Sequence, residues 1–209
     1  MTTAAFASPA AAAALRTAFA RDGAAVVRGA FSSAWMDLVA KSVEANLASP
    51  GPFASENVQN AADHGVGDGQ GCFWDDYVNW RRIPELEAVI RGSPARHIAA
   101  VAMGSTTAQF FHDHVLVKEP GTSMATPWHQ DAPYYFVDGG QTVSMWIPLE
   151  PVEEGKSTLR FLAGSHLWGG LVKVGSSQIA CNLSIVAISA SIALHFGQCD
   201  AHCLSLIMA

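Results

Sequence analysis

The spacing of hydrophobic and polar positions changes character near residue 106. Before it the chain reads as mostly helical. Pro9 to Arg21 is alanine-rich and helix-prone, and Asp22-Gly23 stops it. Ala24-Ala25-Val26-Val27-Arg28 predicts a short strand. Ser33 is placed to cap a helix running from Ala34 to about Leu47, which Pro50-Gly51-Pro52 ends. Residues 54–72 are polar and glycine-rich without a period, and predict a long loop of the kind that is often functional. Pro84 to Arg91 and Ala95 to Met103 predict two further helices around Ser93-Pro94.

After Thr106 the pattern predicts strands over 108–117, 126–135, 141–149 and 157–161. Glu119-Pro120-Gly121, Asp138-Gly139-Gly140 and Glu153-Glu154-Gly155 are the turns between them. Short strands at this spacing suggest a sandwich or barrel, and the earlier helices add a layer against it. The expected fold is therefore mainly β with a helical N-terminal layer, jelly-roll-like. A second shift follows Gly170: from there to Ala209 only Lys173 and Asp200 are charged, and three of the four cysteines fall there. The expected organisation is a domain over 1–170 and an atypical apolar tail over 171–209. Residues 179–196 form a weak membrane-span candidate, diluted by Asn182, Ser184, Ser189, Ser191 and His195. A buried helix or strand pair is the preferred reading of the tail; that it is foreign to the domain is another.

Composition narrows the function classes. The 209 residues, half of them hydrophobic, suffice for one sizeable core. A net charge of −6 without a basic patch argues against a nucleic-acid partner. The first twenty residues lack the layout of a secretory signal. Cys72, Cys181, Cys199 and Cys203 form no C-x-x-C and suggest no disulfide framework, so a cytoplasmic location is expected.

The chemistry concentrates in Thr126-Pro127-Trp128-His129-Gln130-Asp131. Residues two apart on a strand share a face, so His129 and Asp131 can converge on one point. An imidazole and a carboxylate are two of the three ligands of the facial triad that holds Fe(II) and leaves positions open. The third must be a histidine from elsewhere. Alone, His-x-Asp is a weak signal, since a half-buried histidine beside a surface aspartate has the same spelling.

Its surroundings add specificity. Phe110 to Gly121 (FFHDHVLVKEPG) precedes it, Ser144-Met145-Trp146-Ile147-Pro148-Leu149 follows, and Leu159 to Gly169 (LRFLAGSHLWG) closes the series. This ordered set resembles the phytanoyl-CoA dioxygenase family of Fe(II)- and 2-oxoglutarate-dependent oxygenases, from about Phe110 to Gly169 and more loosely back to Phe19-Ala20-Arg21-Asp22-Gly23. The resemblance implies a double-stranded β-helix, a cupin-like jelly roll, and His129 and Asp131 as iron ligands. It implies a small-molecule substrate, O2, and 2-oxoglutarate as cosubstrate, decarboxylated to succinate while the substrate is hydroxylated. His112 and His114 lie on one face of their strand with Leu116 and Lys118. The family lines its cosubstrate site with this strand, so His114 or Lys118 is placed to meet 2-oxoglutarate; a polar, solvent-facing row is the competing reading. Ser144 and Trp146 share a face of the next strand, where Trp146 either walls the site or fills the core. His166, in Gly-Ser-His, belongs by resemblance to a turn and not to the metal site.

The chain departs from the family after Gly170. The family continues to a Gly-Asp turn, a strand carrying the distal histidine, and an arginine that pairs with the far carboxylate of 2-oxoglutarate. Here no arginine follows Arg160, and Gly197-Gln198-Cys199-Asp200-Ala201-His202 stands in place of that pattern. His202 is the candidate distal ligand and His195 its alternative. The expected double-stranded β-helix is correspondingly incomplete. The competing functional classes are a remnant lacking the distal histidine and the arginine, and a cupin-like ligand-binding module.

Overall fold

A computed structural model describes residues 8–54, 73–118, 131, 140–151, 159–168 and 201–208. Four helices and four strands are built from them. Helix α1, Pro9–Asp22, begins at Ser8, whose hydroxyl accepts from the Ala11 N–H at 3.2 Å, with Pro9 preset at the first helical position. It ends at Gly23, whose left-handed φ of 73° lets its N–H reach the Phe19 carbonyl at 2.8 Å. Leu15 and Phe19, four apart, are its buried stripe. Helix α2, Ser33–Ala48, buries Val39 and Val43. Its cap is Ser32, one residue earlier than predicted, and no side-chain bond closes it.

Helix α3, Pro84–Gly92, has Glu85 and Glu87 in its first turn and Arg91 in its last, the signs that the helix dipole favours. Its Leu86, Val89 and Ile90 are buried. Helix α4, Ala95–Met103, buries Ala95, Ile98, Ala99 and Ala102 and stops at Gly104, again in the left-handed region.

The strands are β1, Phe73–Tyr77; β2, Phe110–Lys118; β3, Val143–Pro148; and β4, Ala201–Met208. They form one antiparallel sheet in the order β1-β2-β4-β3. The last strand of the chain thus lies between two earlier ones, each of its ladders closing over a long stretch of sequence. Val115, Val117, Val143, Met145, Ile147, Leu206 and Met208 pack with the helices into the main core. Trp146 is buried on its own with Leu116, Leu159 and Phe161, apart from that core. The sheet therefore has two covered sides, and alternation along the strands sorts residues between them.

Two carboxylates are buried where β1 and β2 meet the helices. Asp76 accepts from Asn46 Nδ2 at 2.8 Å and the Gly51 N–H at 2.7 Å, with Arg82 at 3.5 Å. Gly51 fits because a Cβ there would stand 2.4 Å from Asn79 Oδ1. Asp113 accepts from the Asn79 and Trp80 N–H groups at 2.9 and 3.0 Å, and its carbonyl accepts from Val78 at 3.2 Å. Val78 has φ 59°, costly for a β-branched residue, and these three bonds hold the bend. Burial raises the Asp113 carboxyl above its ordinary value, opposed by the two N–H donors.

Several expectations are corrected. Residues 24–28 form no strand; they lead through a turn to Gly29. Residues 159–161 run without strand pairing. Among the described residues helix exceeds strand, so a mainly β composition is not borne out there. Strand β1 was not foreseen, because its two aspartates break the apolar pattern. The predicted loop beyond Ala54, the strand over 126–135 apart from Asp131, and the candidate span over 179–196 lie outside the described residues. No described helix is long and apolar enough to cross a membrane.

The match between Gly23 and the Gly164-Ser165-His166 turn supports a first prediction. His166 lies within hydrogen-bond distance of the Ala20 carbonyl (Nε2···O 3.1 Å), and the Gly164 N–H donates to the Asp22 carbonyl at 2.9 Å. A Cβ on Gly23 would stand 2.4 Å from the His166 ring. Gly23→Ala is expected to cost at least about 1–2 kcal/mol from the left-handed backbone alone, and more from the ring contact. Urea unfolding in a His166→Ala background should recover only the second part; equal costs in both backgrounds would remove the contact from the account.

Candidate active site

The register sorts the candidate residues by sheet side. On β2, Asp113, Val115 and Val117 are buried towards the helices, while His112, His114, Leu116 and Lys118 alternate with them and are half-buried. His114 stands opposite Tyr77 of β1 and Ser205 of β4; Ser205 in turn stands opposite Trp146 of β3. One residue pair along, His112 and Ser144 both stand opposite Ile207. Lys118, at the end of β2, stands opposite Phe73 and Ala201. His112, His114, Lys118, Ser144 and Trp146 therefore share the side of the sheet away from the helices.

Asp131 is on the same side. The Ser144 hydroxyl donates to its Oδ2 at 3.3 Å, and its negative charge acts on His112. Trp146, packed against Leu116, Leu159 and Phe161, supplies an apolar wall. His129 lies outside the described residues, as does His195. His202 is in β4 opposite Val117, at a register position of the same parity as Leu206 and Met208, whereas Cys203 and Ser205 align with the row of Leu116 and His114. The register thus separates His202 from the row that carries Ser144. His166 is the middle of a 3-10 turn, Ser165–Leu167, at the end of α1.

Two members of this face, Asp75 and Tyr77, are not read from the sequence. Asp75 Oδ2 is 3.1 Å from His114 Nε2. The Tyr77 ring stacks on His114 with centroids 3.9 Å apart at 20°, and stands edge-on to His112 at 6.1 Å. His112 places Nδ1 3.2 Å from the Asp113 carbonyl, so Nδ1–H donates and the ring orientation is set. The available signal was the alternation Asp75-x-Tyr77, hidden next to Asp76.

Burial is the largest influence on His112 and lowers its pKa from the ordinary 6.5; the Asp113 carbonyl, next in size, opposes it, and Asp131 opposes it more weakly. A histidine whose folded pKa is depressed contributes stability that is present above its unfolded value and is lost as pH falls through the folded value. The wild-type chain is therefore expected to lose stability as pH drops below 6.5, and His112→Gln to flatten that limb. Urea midpoints measured across the range decide it; parallel profiles would mean that His112 is not the titrating group.

The helix-backed antiparallel sheet thus carries a carboxylate, two histidines and an apolar wall on its far side. Residues 6–175 match the family described as Phytanoyl-CoA dioxygenase (PhyH), and the chain belongs to that family. Membership implies, at family level, Fe(II)- and 2-oxoglutarate-dependent oxygenase chemistry. The fold is similar to the crystal structure of AviO1 from Streptomyces viridochromogenes Tue57, with a TM-score of 0.56 and 13% identity over 94% of each chain. No curated protein matches the sequence significantly.

Proposed function

We propose that this chain is an Fe(II)- and 2-oxoglutarate-dependent dioxygenase that hydroxylates a small organic molecule, with His129 and Asp131 as metal ligands. The observation that carries the reading is the position of Asp131. Its carboxylate sits on the side of the sheet away from the helices, bonded to Ser144 and beside the row of His112 and His114. A carboxylate is a hard oxygen donor suited to Fe(II), so the described part of the donor set fits the metal. With the metal and cosubstrate bound, the chemistry supplied is oxidation by O2 coupled to decarboxylation of 2-oxoglutarate.

The chain's own residues do the rest. Ser144 donates to Asp131 and orients it, as hydrogen-bond partners of metal-ligating carboxylates do. Trp146, Leu116, Leu159 and Phe161 form a dry wall that strengthens polar interactions beside it and holds water off. Lys118, at the end of the same row, is the cation placed for the far carboxylate of 2-oxoglutarate where the family uses an arginine. A double-stranded β-helix, with residues 159–161 over this face, is the frame we favour.

A second reading is a catalytically deficient relative. It is favoured by the register position of His202 and by the absence of arginine after Arg160. An anaerobic Fe(II) titration with 2-oxoglutarate separates the two. The metal-to-ligand charge-transfer band should appear in the visible spectrum and be lost in His129→Ala. A folded chain with no band supports the deficient relative.

A further inference from the structure

We infer that His114 is a substrate-positioning residue that accepts, through Nδ1, a hydrogen bond from a hydroxyl group of the molecule bound on this face. The inference rests on the reading of this face as a small-molecule site and names the class of molecule it takes: an alcohol with an apolar body.

The imidazole is located by two independent contacts. Tyr77 stacks on it at 3.9 Å and 20°, which fixes the plane of the ring. Asp75 Oδ2 lies 3.1 Å from Nε2, which fixes the rotation within that plane. Both partners come from β1, the edge strand, so the group is assembled by the β1–β2 ladder. Neither His114 nor Asp75 is sealed off, with side-chain exposures of 19% and 15%.

The hydrogen-bond polarity follows from the pair. A carboxylate is an acceptor only, so the Asp75 contact requires the proton on Nε2, and the neutral ring then carries its lone pair on Nδ1. A hydroxyl group brings the hydrogen such an atom needs. A ligand carboxylate brings none and meets the lone pair instead. This polarity distinguishes His114 from a residue that grips the cosubstrate.

The sheet sets the reach. His114 on β2 and Trp146 on β3 both flank Ser205 of β4, two strand spacings or about 10 Å apart. Ser144, and with it Asp131, is one residue pair further along the same rows. Trp146, packed against Leu116, borders that span with an apolar surface, while Leu116 itself lies on the far side of His114 from Ser144. A molecule held at His114 by a hydroxyl and presented to Asp131 must therefore span about 12 Å, two strand spacings across and two residues along, beside the apolar surface of Trp146.

The test uses the full-length, metal-free chain labelled with 15N at histidine, at about pH 8, where imidazole is ordinarily neutral. His114→Phe assigns the resonances. The probes are trans-1,2-cyclohexanediol, its dimethyl ether and cyclohexanecarboxylate. The wild-type spectrum should show the proton of His114 on Nε2, and the diol should shift its Nδ1 signal while the ether and the carboxylate do not. Asp75→Leu should weaken diol binding about tenfold, the worth of one oriented hydrogen bond. Asp75→Asn, which keeps an acceptor oxygen, should retain it within about threefold. A proton on Nδ1 overturns the inference whether or not Asp75→Leu folds. So does a response to the carboxylate alone, no response to any probe, or equal diol binding in Asp75→Leu. Because no iron or cosubstrate is present, a missing charge-transfer band fails the oxygenase reading without deciding this result, and a failed diol response leaves the band to be judged alone.

Discussion

Deleting residues 201–209 is expected to convert the folded chain into an aggregating one. Strand β4 lies between β2 and β3, and its removal strips one ladder edge from each. Unpaired edges of this kind are templates for pairing with other chains. The deletion also removes Leu206 and Met208, both almost fully buried in the main core. Burying one such side chain is worth about 1.5–3 kcal/mol, and a domain's whole stability is only about 5–15 kcal/mol. The two side chains alone amount to about 3–6 kcal/mol, a large share of that margin, and the two lost ladders add to it. Size-exclusion chromatography and circular dichroism of the shortened chain check it. A monomeric, cooperatively unfolding product would mean that β4 contributes little and that β2 and β3 can pair without it. A point change at the same strand should show the effect in miniature: Leu206→Ala is expected to cost about 2–5 kcal/mol.

Asp131→Ala is expected to weaken Fe(II) binding by more than about 100-fold, with Ser144→Ala weakening it about tenfold. The first estimate takes the removal of a ligand to exceed the effect of losing an outer partner; the second is the lower end of what such partners contribute. The order carries the information. The proposed role of Ser144 in metal binding runs through its bond to Asp131, so in an Asp131→Ala background its substitution is expected to have no further effect on Fe(II) affinity. Anaerobic competition against a chelating dye gives all four affinities without requiring turnover. Independent effects of the two substitutions would place Ser144 in direct contact with the bound group. Unchanged affinity in Asp131→Ala would remove Asp131 from the metal site and favour the deficient relative.

Both results bear on how this chain departs from its family. The oxygenase motifs lie before Gly170, while the sheet that presents them is completed by a strand from the unusual tail. A sequence pattern and its supporting fold can thus be decoupled. The tail supplies backbone partners and apolar cover to β2 and β3, and those demands are met by any strand with Leu206 and Met208 in register. The distal ligand is a stricter demand, for one residue type at one place. His202, the candidate for it, stands opposite Val117 and in step with Leu206.

The helices were legible because their signals are local. Ser8 and Pro9 open α1, Gly23 and Gly104 close α1 and α4 in the left-handed region, and apolar residues three and four apart mark the buried stripe. The strand at residues 110–118 was legible for the same reason, its alternation being local too. Strand β1 was not, because Asp76 is buried by partners from Asn46 and Gly51 that no window around it contains. Residues 24–28 and 159–161 show the converse, apolar stretches that pack without a ladder to join. By itself, then, the sequence determined the helices, the order of the motifs and the family. The tertiary structure alone decided which strand separates β2 from β3, and that Asp75 and Tyr77 hold His114. Such pairings depend on geometry between residues tens of positions apart, which no local pattern of polarity encodes.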